Sequence, residues 1–560
     1  MWYEREYVKP NVEDYAKTRG RFKLTVPEYY NFGFDVVDKW AEDGTKLALI
    51  AVDQAGENPR HYTFSDMKLL SSKFANVLRG LGIVKGERVF VMLPRIPEWY
   101  VVLLGMIKVG VIPCPATVLC TPRDIEYRVN RAEMSMVLTD EEGAHKFGEI
   151  ANKCPTVKHK IVVGGRLEGW MNYKEVMGKA SQSLAKEEVV PTRHDDPMTL
   201  FFTSGTVKYP KMVIHTQDYP IGHYVTAYCG HDAKPTDLDW TLTETGWAKS
   251  SWATWGQWMC GQTLFIQDAR GKFDPELTLR ILERYGVNVF CAPPTAVRMM
   301  VLEDLSKYDF RRLRHCLSAG EPLNPETIGV WKGATGIDIY DIYGQTETTM
   351  VVGNLRGMPI KLGSMGVPAL NYDVAIVDDE ARELPRGEEG HIAIRVKPNR
   401  PVGLFKEYWK EPEEMAGVFK GNWYYTGDRA KRDADGYFWF MGRADDVIIS
   451  AGYRIGPFEI ESVLLEHPAI AESAVVASPD PIRGEVVKAF VVLAPGYEPG
   501  EKLTEELQEH VKTITAPYKY PRAIEYVEEL PKTISGKIKR GELKKREWEG
   551  YKSNQGTNLA

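Results

Sequence analysis

The 560-residue chain lacks several features that mark membrane, secreted and nucleic-acid-binding proteins. Its longest apolar stretches, such as residues 101–107, are far too short to cross a bilayer. The N-terminus carries acidic residues and no apolar segment, so we expect no secretory signal. The 71 Lys and Arg residues against 77 Asp and Glu give a net charge of −6, which argues against holding nucleic acid by bulk positive charge. We therefore expect neither a membrane span nor a nucleic-acid partner.

Cysteine is also scarce, with seven scattered residues and no CxxC pair. This spacing provides neither a disulfide framework nor a zinc site. Most of the cysteines are expected to be small buried apolar residues in a reducing compartment, for which we predict the cytoplasm. HExxH, GxSxG and Walker A motifs are absent as well.

Helical and strand patterns alternate over the first part of the chain, which favours an α/β fold with parallel sheets. One helix is expected to begin with Ser65 as its N-cap, followed by a buried strand over 87–93. Thr121, followed by proline and then by Asp124, predicts a second helix start. The same pattern recurs over 274–285, with a strand after it.

The pattern changes after about residue 360, where short β-rich runs are separated by turn residues. From about residue 443 the chain has the character of a compact α+β piece of small-domain size. We place the boundary near 442–446.

A first candidate for binding chemistry lies between two apolar runs. It is dense in hydroxyls and glycine and holds one lysine at its end, its members being Thr203, Ser204, Gly205, Thr206 and Lys211. Such a loop can offer hydroxyl groups, backbone N–H groups and a cation to phosphate oxygens. An ordinary polar turn between two strands explains the same residues equally well.

A second candidate, residues 341–347, ends a strand-like run. Asp341, Tyr343 and Glu347 place carboxylates and an aromatic ring where the open sheet of an α/β protein binds ligands. Glu347 can hold Mg²⁺, which takes few protein ligands and relies on phosphate oxygens. The alternative is a capped helix start at Thr346 or Glu347.

Two further candidates lie downstream. Asp428, in a turn expected after a strand, can grip ribose hydroxyls, and Arg443 can pair with phosphate. Asp445 and the acid after it can equally form a solvated turn. Lys537 stands on a Gly-containing loop and can act as a mobile point charge, although a solvated basic helix is the simpler explanation of that basic run.

Taken in this order, the four segments resemble the ANL superfamily of adenylate-forming enzymes over essentially the whole chain. The stretches 442–457, 478–488 and 515–522 are most similar to medium-chain acyl-CoA synthetases. The resemblance implies a large N-terminal domain, residues 1–442, made of layered αβ sheets plus a β-rich subdomain. It also implies a small mobile α+β C-terminal domain, residues 443–560.

The resemblance further implies a two-step reaction with ATP, Mg²⁺, CoA and a small carboxylic acid. The acid attacks the α-phosphate to give an acyl-adenylate, and the CoA thiol then displaces AMP. Thr203 to Thr206 and Lys211 would hold the β- and γ-phosphates, and Thr346 the α-phosphate. Lys537 would neutralise charge during adenylation.

The remaining nucleotide contacts are implied in the same way. Gly320, Glu321 and Pro322 would lie along the adenine, with Asp341 facing its amine. Tyr343, beside Gly344 and Gln345, would stack on the base. Asp428 would bind the ribose with Arg443 beside it, and Glu347 would bind Mg²⁺.

The resemblance places a hinge at Asp445, about which the C-terminal domain alternates between the two half-reactions. The segment Ala451, Gly452, Tyr453 and Arg454 would then line the pantetheine tunnel. Arg483, Lys512 and Arg522 resemble positions that meet the CoA nucleotide, and a homodimer is possible.

One departure from the family pattern concerns Val207 and Lys208, which replace a hydroxyl residue and a glycine in the phosphate loop. This departure keeps two alternatives open. One is a catalytically weak nucleotide-binding regulator, and the other is an adenylate-forming protein that passes the acyl group to another acceptor. Intact Glu347 and Lys537 favour an enzyme.

The expected size of the acyl pocket narrows the class of carboxylic acid that the chain would bind. In acetyl-specific relatives a tryptophan stands where Gly344 stands, so Gly344 should leave the acyl pocket open. Trp247 and Trp252 should lie near the acyl end and shorten it, although core packing explains most tryptophans of that segment. We therefore expect short-to-medium, branched or aromatic acids.

Overall fold

The computed structural model describes residues 8–203, 210–321, 323, 325–444, 446–450, 453–480, 484–515, 519–533 and 537–557. For 453–454 and 552–557 it describes the backbone alone. Within these ranges the strands form five sheets.

The largest sheet has nine strands, and its six central strands run parallel. Its order across the sheet is Val367–Pro368, Met350–Gly353, Ile339–Gly344, His315–Ala319, Val289–Ala292, Leu238–Thr241, Thr263–Gln267, Leu47–Val52 and Arg60–Thr63. The central strands Val289–Ala292 and His315–Ala319 are buried at every residue, as expected for a parallel sheet covered on both faces. Their carboxyl ends therefore share one edge of the sheet.

A second sheet of five parallel strands follows the order Ile112–Pro115, Arg88–Met92, Met136–Asp140, His159–Val163 and Met171–Asn172. A small antiparallel sheet, of Glu407–Tyr408, Met212–Thr216 and Pro197–Phe202, carries the phosphate-loop candidate between its last two strands. Its strands pack against the second sheet in a shared apolar cluster.

The β-rich part is a five-stranded antiparallel sheet. Its strands are Val374–Val377, Glu389–Arg395, Trp423–Arg432, Phe419–Lys420 and Phe438–Arg443. The last sheet joins Tyr453–Ile455, Ile448–Ser450, Gly484–Leu493, Ile470–Asp480 and Ala523–Tyr526. Strand pairing thus passes from one sheet to the other between residues 443 and 448.

Helices cover the sheets. They span Tyr15–Arg21, Asp38–Trp40, Phe64–Gly80, Pro97–Lys108, Pro122–Arg131, Glu141–Gly148, Tyr173–Lys179, Tyr219–Val225, Lys249–Trp252, Trp255–Met259, Pro275–Tyr285, Pro294–Met300, Pro325–Thr335, Pro412–Val418, Pro457–Leu465, Glu501–Ile514 and Arg540–Thr557. The predicted start at Thr121 is confirmed, because its hydroxyl and the Asp124 carboxylate cap each other's backbone N–H groups.

Two local predictions are wrong. The N-cap of the helix Phe64–Gly80 is Thr63, which forms a capping box with Asp66, whereas the Ser65 hydroxyl donates to the Ala41 carbonyl. Asp428 does not follow a strand but lies inside Trp423–Arg432. Gly427, with a φ of 79°, lies in the left-handed region within that strand, which continues past it.

Six of the seven cysteines are buried, as expected, and Cys260 is partly exposed. No helix within the described ranges combines the length and the apolar character that a membrane crossing requires.

Candidate functional site

The candidate site lies at the carboxyl edge of the nine-stranded sheet. His315–Ala319 and Ile339–Gly344 are parallel neighbours in register, with Ser318 opposite Asp341. Gly320 and Glu321 follow the first strand, and Gln345 to Glu347 follow the second as a turn. The helix start proposed as an alternative at Thr346 is therefore wrong. Side chains far apart in sequence meet here because parallel strands end at one edge.

A first cluster joins the phosphate-loop lysine to the predicted metal carboxylate. The Lys211 ammonium lies 2.6 Å from the Glu414 carboxylate and 4.8 Å from the centre of the Tyr408 ring. The Tyr408 hydroxyl donates to Glu347 Oε1 over 2.7 Å. Burial raises the pKa of Glu347, and the Tyr408 hydroxyl and Lys211 oppose that rise. One phenol therefore contacts a cation with its ring and a carboxylate with its hydroxyl.

The base of the phosphate loop is closed by two hydrogen bonds. The Thr203 N–H donates to the Lys211 carbonyl over 2.9 Å, and the Lys211 N–H donates to the Thr203 hydroxyl over 3.0 Å. Thr203 and Lys211 thus flank the loop mouth. Ser204, Gly205 and Thr206 fall outside the described residues, as do Val207 and Lys208.

A second cluster surrounds Asp428. The Tyr343 hydroxyl donates to Asp428 Oδ2 over 2.5 Å, and Gln345 Nε2 donates to the same oxygen over 2.8 Å. The Arg443 guanidinium lies 3.7 Å from the other carboxylate oxygen. Burial and the nearby Asp428 charge raise the pKa of Tyr343 well above its usual value. The arrangement leaves a carboxylate held on three sides by neutral and cationic donors.

A third cluster contains Lys249, which the sequence analysis missed. Its ammonium donates to the Ala319 carbonyl over 3.2 Å, and burial lowers its pKa. The charges of Asp341 and Lys537 both act on it. Burial raises the pKa of Asp341 to about 8. The N–H groups of residues 323 and 342 and the charge of Lys249 lower it, but by less. A lone lysine inside a Trp-rich segment was the sequence signal available for this position.

The acyl-pocket candidates are in contact. A Cβ added to Gly344 would lie 2.4 Å from Cη2 of Trp252, so the indole fills the space beside the glycine. Trp252 is buried and Trp247 is partly buried. Trp255 and Trp258 belong to the hydrophobic core, as the packing interpretation of that segment expected.

The C-terminal part brings the charge of Lys537 within electrostatic range of Lys249. Arg540 is paired with Glu461 over 2.6 Å, and the charge of Glu321 also acts on Arg540. The basic helix begins only at Arg540, so Lys537 precedes it.

The described candidates for CoA binding lie farther along the C-terminal part. Lys512 and Arg522 share the ring of Tyr520, at 5.9 Å and 4.8 Å from its centre. Tyr453 and Arg454 lie in a strand. Pro322, Asp445, Ala451, Gly452 and Arg483 fall outside the described residues.

Comparison with known proteins identifies the family. Residues 37–409 match the family of AMP-binding enzymes, and residues 459–537 match the AMP-binding enzyme C-terminal domain. The chain belongs to the AMP-binding enzyme family. The enzyme is 46% identical over 550 residues to human mitochondrial acyl-coenzyme A synthetase ACSM3. The aligned region covers 96% of this chain and 93% of the human protein.

Two solved structures share the fold of this AMP-binding enzyme. The anthranilate CoA ligase AuaEII in complex with anthranoyl-AMP superposes with a TM-score of 0.84 at 29% identity, over 93% of this chain and 98% of that one. An acyl-CoA synthetase from Brucella canis superposes with a TM-score of 0.71 at 35% identity, over 96% and 98%. The predicted family, α/β fold class and enzyme class, an AMP-forming acyl-CoA synthetase, are thereby confirmed.

Proposed function

We propose that this enzyme converts a short-to-medium-chain, branched or aromatic carboxylic acid to its CoA thioester through an acyl-adenylate. The observation that carries the proposal is the convergence on one sheet edge of the Lys211–Glu347 cluster, the Asp428 cluster and the Lys537 charge. Such a site supplies the phosphate neutralisation and the positioning that attack at an α-phosphate needs.

In the adenylation step, Lys211 and the loop 203–206 would hold the β- and γ-phosphates, and Thr346 would contact the α-phosphate. Lys537 would stabilise the charge that develops between carboxylate and α-phosphate. Gly320, Glu321 and Pro322 would lie along the adenine, and Asp341 would face its amine. Tyr343, Gly344 and Gln345 would form the base-binding turn, while Asp428 and Arg443 would hold the ribose.

The donor set around Glu347 fits Mg²⁺. An enclosed carboxylate, positioned by the Tyr408 hydroxyl, is the kind of single protein ligand that Mg²⁺ combines with phosphate oxygens and water. Bound there, the ion would neutralise phosphate charge. The chain itself contributes the fixed orientation of Glu347, since Tyr408 holds one of its oxygens.

For the thioester step we propose that the C-terminal domain, residues 443–560, turns about Asp445. What supports this boundary is the change of sheet between Arg443 and Ile448. Residues 451–454 would then line the tunnel for pantetheine. Lys512 and Arg522, joined through Tyr520, would meet the CoA phosphates together with Arg483.

What supports the proposed acid class is the contact between Gly344 and Trp252. The Trp252 indole fills the space beside Gly344, so it would shorten the acyl pocket. Trp247, five residues before Trp252, is proposed to lie near the same end of the acyl pocket. Lys249 adds a half-buried cation beside these residues, which favours an anionic substrate over an amine.

The test measures AMP and pyrophosphate release with ATP, Mg²⁺ and a panel of acids, with and without CoA. The panel runs from acetate to octanoate and includes branched acids, benzoate and amino acids. CoA-dependent AMP release that peaks at four- to eight-carbon, branched or aromatic acids is expected. Pyrophosphate release without CoA-dependent turnover would point to another acceptor, and no turnover would favour a regulator.

We further propose a cytoplasmic enzyme that forms a homodimer. The burial of six of the seven cysteines agrees with a reducing compartment. Since the human relative is named as mitochondrial, fractionation of cells must separate the two compartments. Light scattering of the purified protein measures the mass of the assembly.

A further inference from the structure

The phosphate-loop lysine has a partner that the sequence analysis did not consider. Lys211 Nζ lies 2.6 Å from Oε2 of Glu414, and these side chains are 29% and 33% exposed. The same ammonium lies 4.8 Å from the centre of the Tyr408 ring. The lysine is therefore held by a carboxylate on one side and an aromatic ring on another.

The backbone fixes this pairing. Tyr408 is paired in register with Val213, and the Trp409 N–H donates to the Met212 carbonyl over 2.8 Å. The helix Pro412–Val418 starts four residues after Tyr408 and carries Glu414 in its first turn. Because the strand Glu407–Tyr408 is hydrogen-bonded beside the end of the phosphate loop, the helix places Glu414 next to Lys211.

The carboxylate of Glu414 has the charge sign of a triphosphate. A phosphate that binds the Lys211 ammonium would therefore stand close to the Glu414 carboxylate, and the two negative charges would repel each other. Tyr408 also donates to Glu347, so one side chain contacts both the lysine and the proposed metal ligand. The pair thus stands where the β- and γ-phosphates are proposed to bind.

We propose that Glu414 is a positioning residue that pairs with Lys211 between turnovers and competes with the triphosphate for it. It weakens the binding of ATP before reaction and favours the release of pyrophosphate after it. This inference rests on the proposed function, because it takes Lys211 as the ligand of the β- and γ-phosphates.

The experiment measures binding of MgATP, magnesium pyrophosphate and AMP to the full chain by titration calorimetry, without acid or CoA. Glu414→Gln removes the charge and keeps the shape. Glu413→Gln, on the same helix and exposed, is the matched control, and Glu414→Asp keeps the charge. Thermal unfolding checks that each variant is folded.

For Glu414→Gln the Kd of MgATP and of pyrophosphate is expected to fall about three-fold, the size typical of a partly exposed ion pair. The gain should shrink at high salt, since added ions screen the pair. AMP binding should not change, because AMP lacks the β- and γ-phosphates. Glu413→Gln and Glu414→Asp should bind like the native protein.

An unchanged or higher Kd of MgATP in Glu414→Gln would overturn the inference, as would an equal change for AMP. If the native protein binds MgATP and Glu414→Gln does not change the Kd, the inference fails while the proposed function stands. If the native protein bound neither MgATP nor pyrophosphate, the proposed function would fail and the inference with it.

Discussion

Asp341 is an acidic side chain in surroundings that disfavour its charged form. Its carboxyl lies in the strand Ile339–Gly344, and burial raises its pKa from 3.8 to about 8. The N–H groups of residues 323 and 342 and the charge of Lys249 oppose the rise without cancelling it. Asp341 is therefore a mostly neutral acid near neutral pH in the protein without nucleotide.

The raised pKa predicts a pH-dependent contribution to stability. Between 3.8 and about 8 the folded state holds a proton that the unfolded state has lost, so stability falls as pH rises. The free energy of unfolding of the native protein, relative to Asp341→Asn, should fall by up to about 1.4 kcal/mol per pH unit in that window. Urea unfolding at several pH values measures it. Parallel pH profiles of the two proteins would contradict the prediction.

Gly344 leads to a second prediction for a single residue. In Gly344→Ala the new Cβ would meet the Trp252 indole at 2.4 Å and the Thr349 carbonyl oxygen at 2.5 Å. Overpacking of this kind costs about 1 to 3 kcal/mol of unfolding free energy, and it should shift the acid preference toward shorter chains. Chemical denaturation and the acid panel measure both effects.

The double variant provides the control for this prediction. Adding Trp252→Phe to Gly344→Ala replaces the indole by a smaller ring, so part of the lost stability and of the chain-length range should return. If the two substitutions acted additively, Gly344 and Trp252 would not share one pocket wall.

At the scale of elements, the sequence predicts the start of a helix best where the capping residues are close together in the chain. The start at Thr121 follows from hydroxyl, proline and acid within four residues, and those atoms form the cap. Near Ser65 two hydroxyl residues, Thr63 and Ser65, could serve as the N-cap. Thr63 does so because Asp66 stands three residues after it and completes the capping box. Lys249 could not be assigned, because its neighbours come from strands that only the folded sheet brings together.

The junction between the last two sheets depends on a close backbone approach. A Cβ on Gly456 would lie 2.0 Å from the Met441 carbonyl oxygen, so Gly456→Ala must push the helix Pro457–Leu465 away from the strand Phe438–Arg443. We expect a lower melting temperature and a loss of CoA-dependent turnover. Gly333→Ala is the matched control, since a Cβ there meets nothing within 4 Å and the residue lies in a helix. Equal behaviour of the two variants would contradict the role of the junction.

At the scale of the whole molecule, one sheet edge must serve two different reactions. The charge of Lys537 acts on Lys249, and that of Glu321 acts on Arg540, so C-terminal cations lie within electrostatic range of the edge where the nucleotide is proposed to bind. Of the proposed tunnel residues, Tyr453 and Arg454 belong to the same C-terminal part, in the strand that pairs with Ile448–Ser450. Lys537 and this segment are therefore proposed to take turns at the site.

Lys537→Ala tests this alternation. Loss of one preorganised charge should lower the adenylation rate by about 10²-fold or more, measured as acid-dependent pyrophosphate exchange. Thioester formation from supplied acyl-adenylate and CoA should stay near the native rate, because that step does not use Lys537. Lys532→Ala is the control, since its ammonium pairs with Glu472 at 2.7 Å. If both half-reactions fell together in Lys537→Ala while the variant stayed folded, a single fixed arrangement would have to serve both steps.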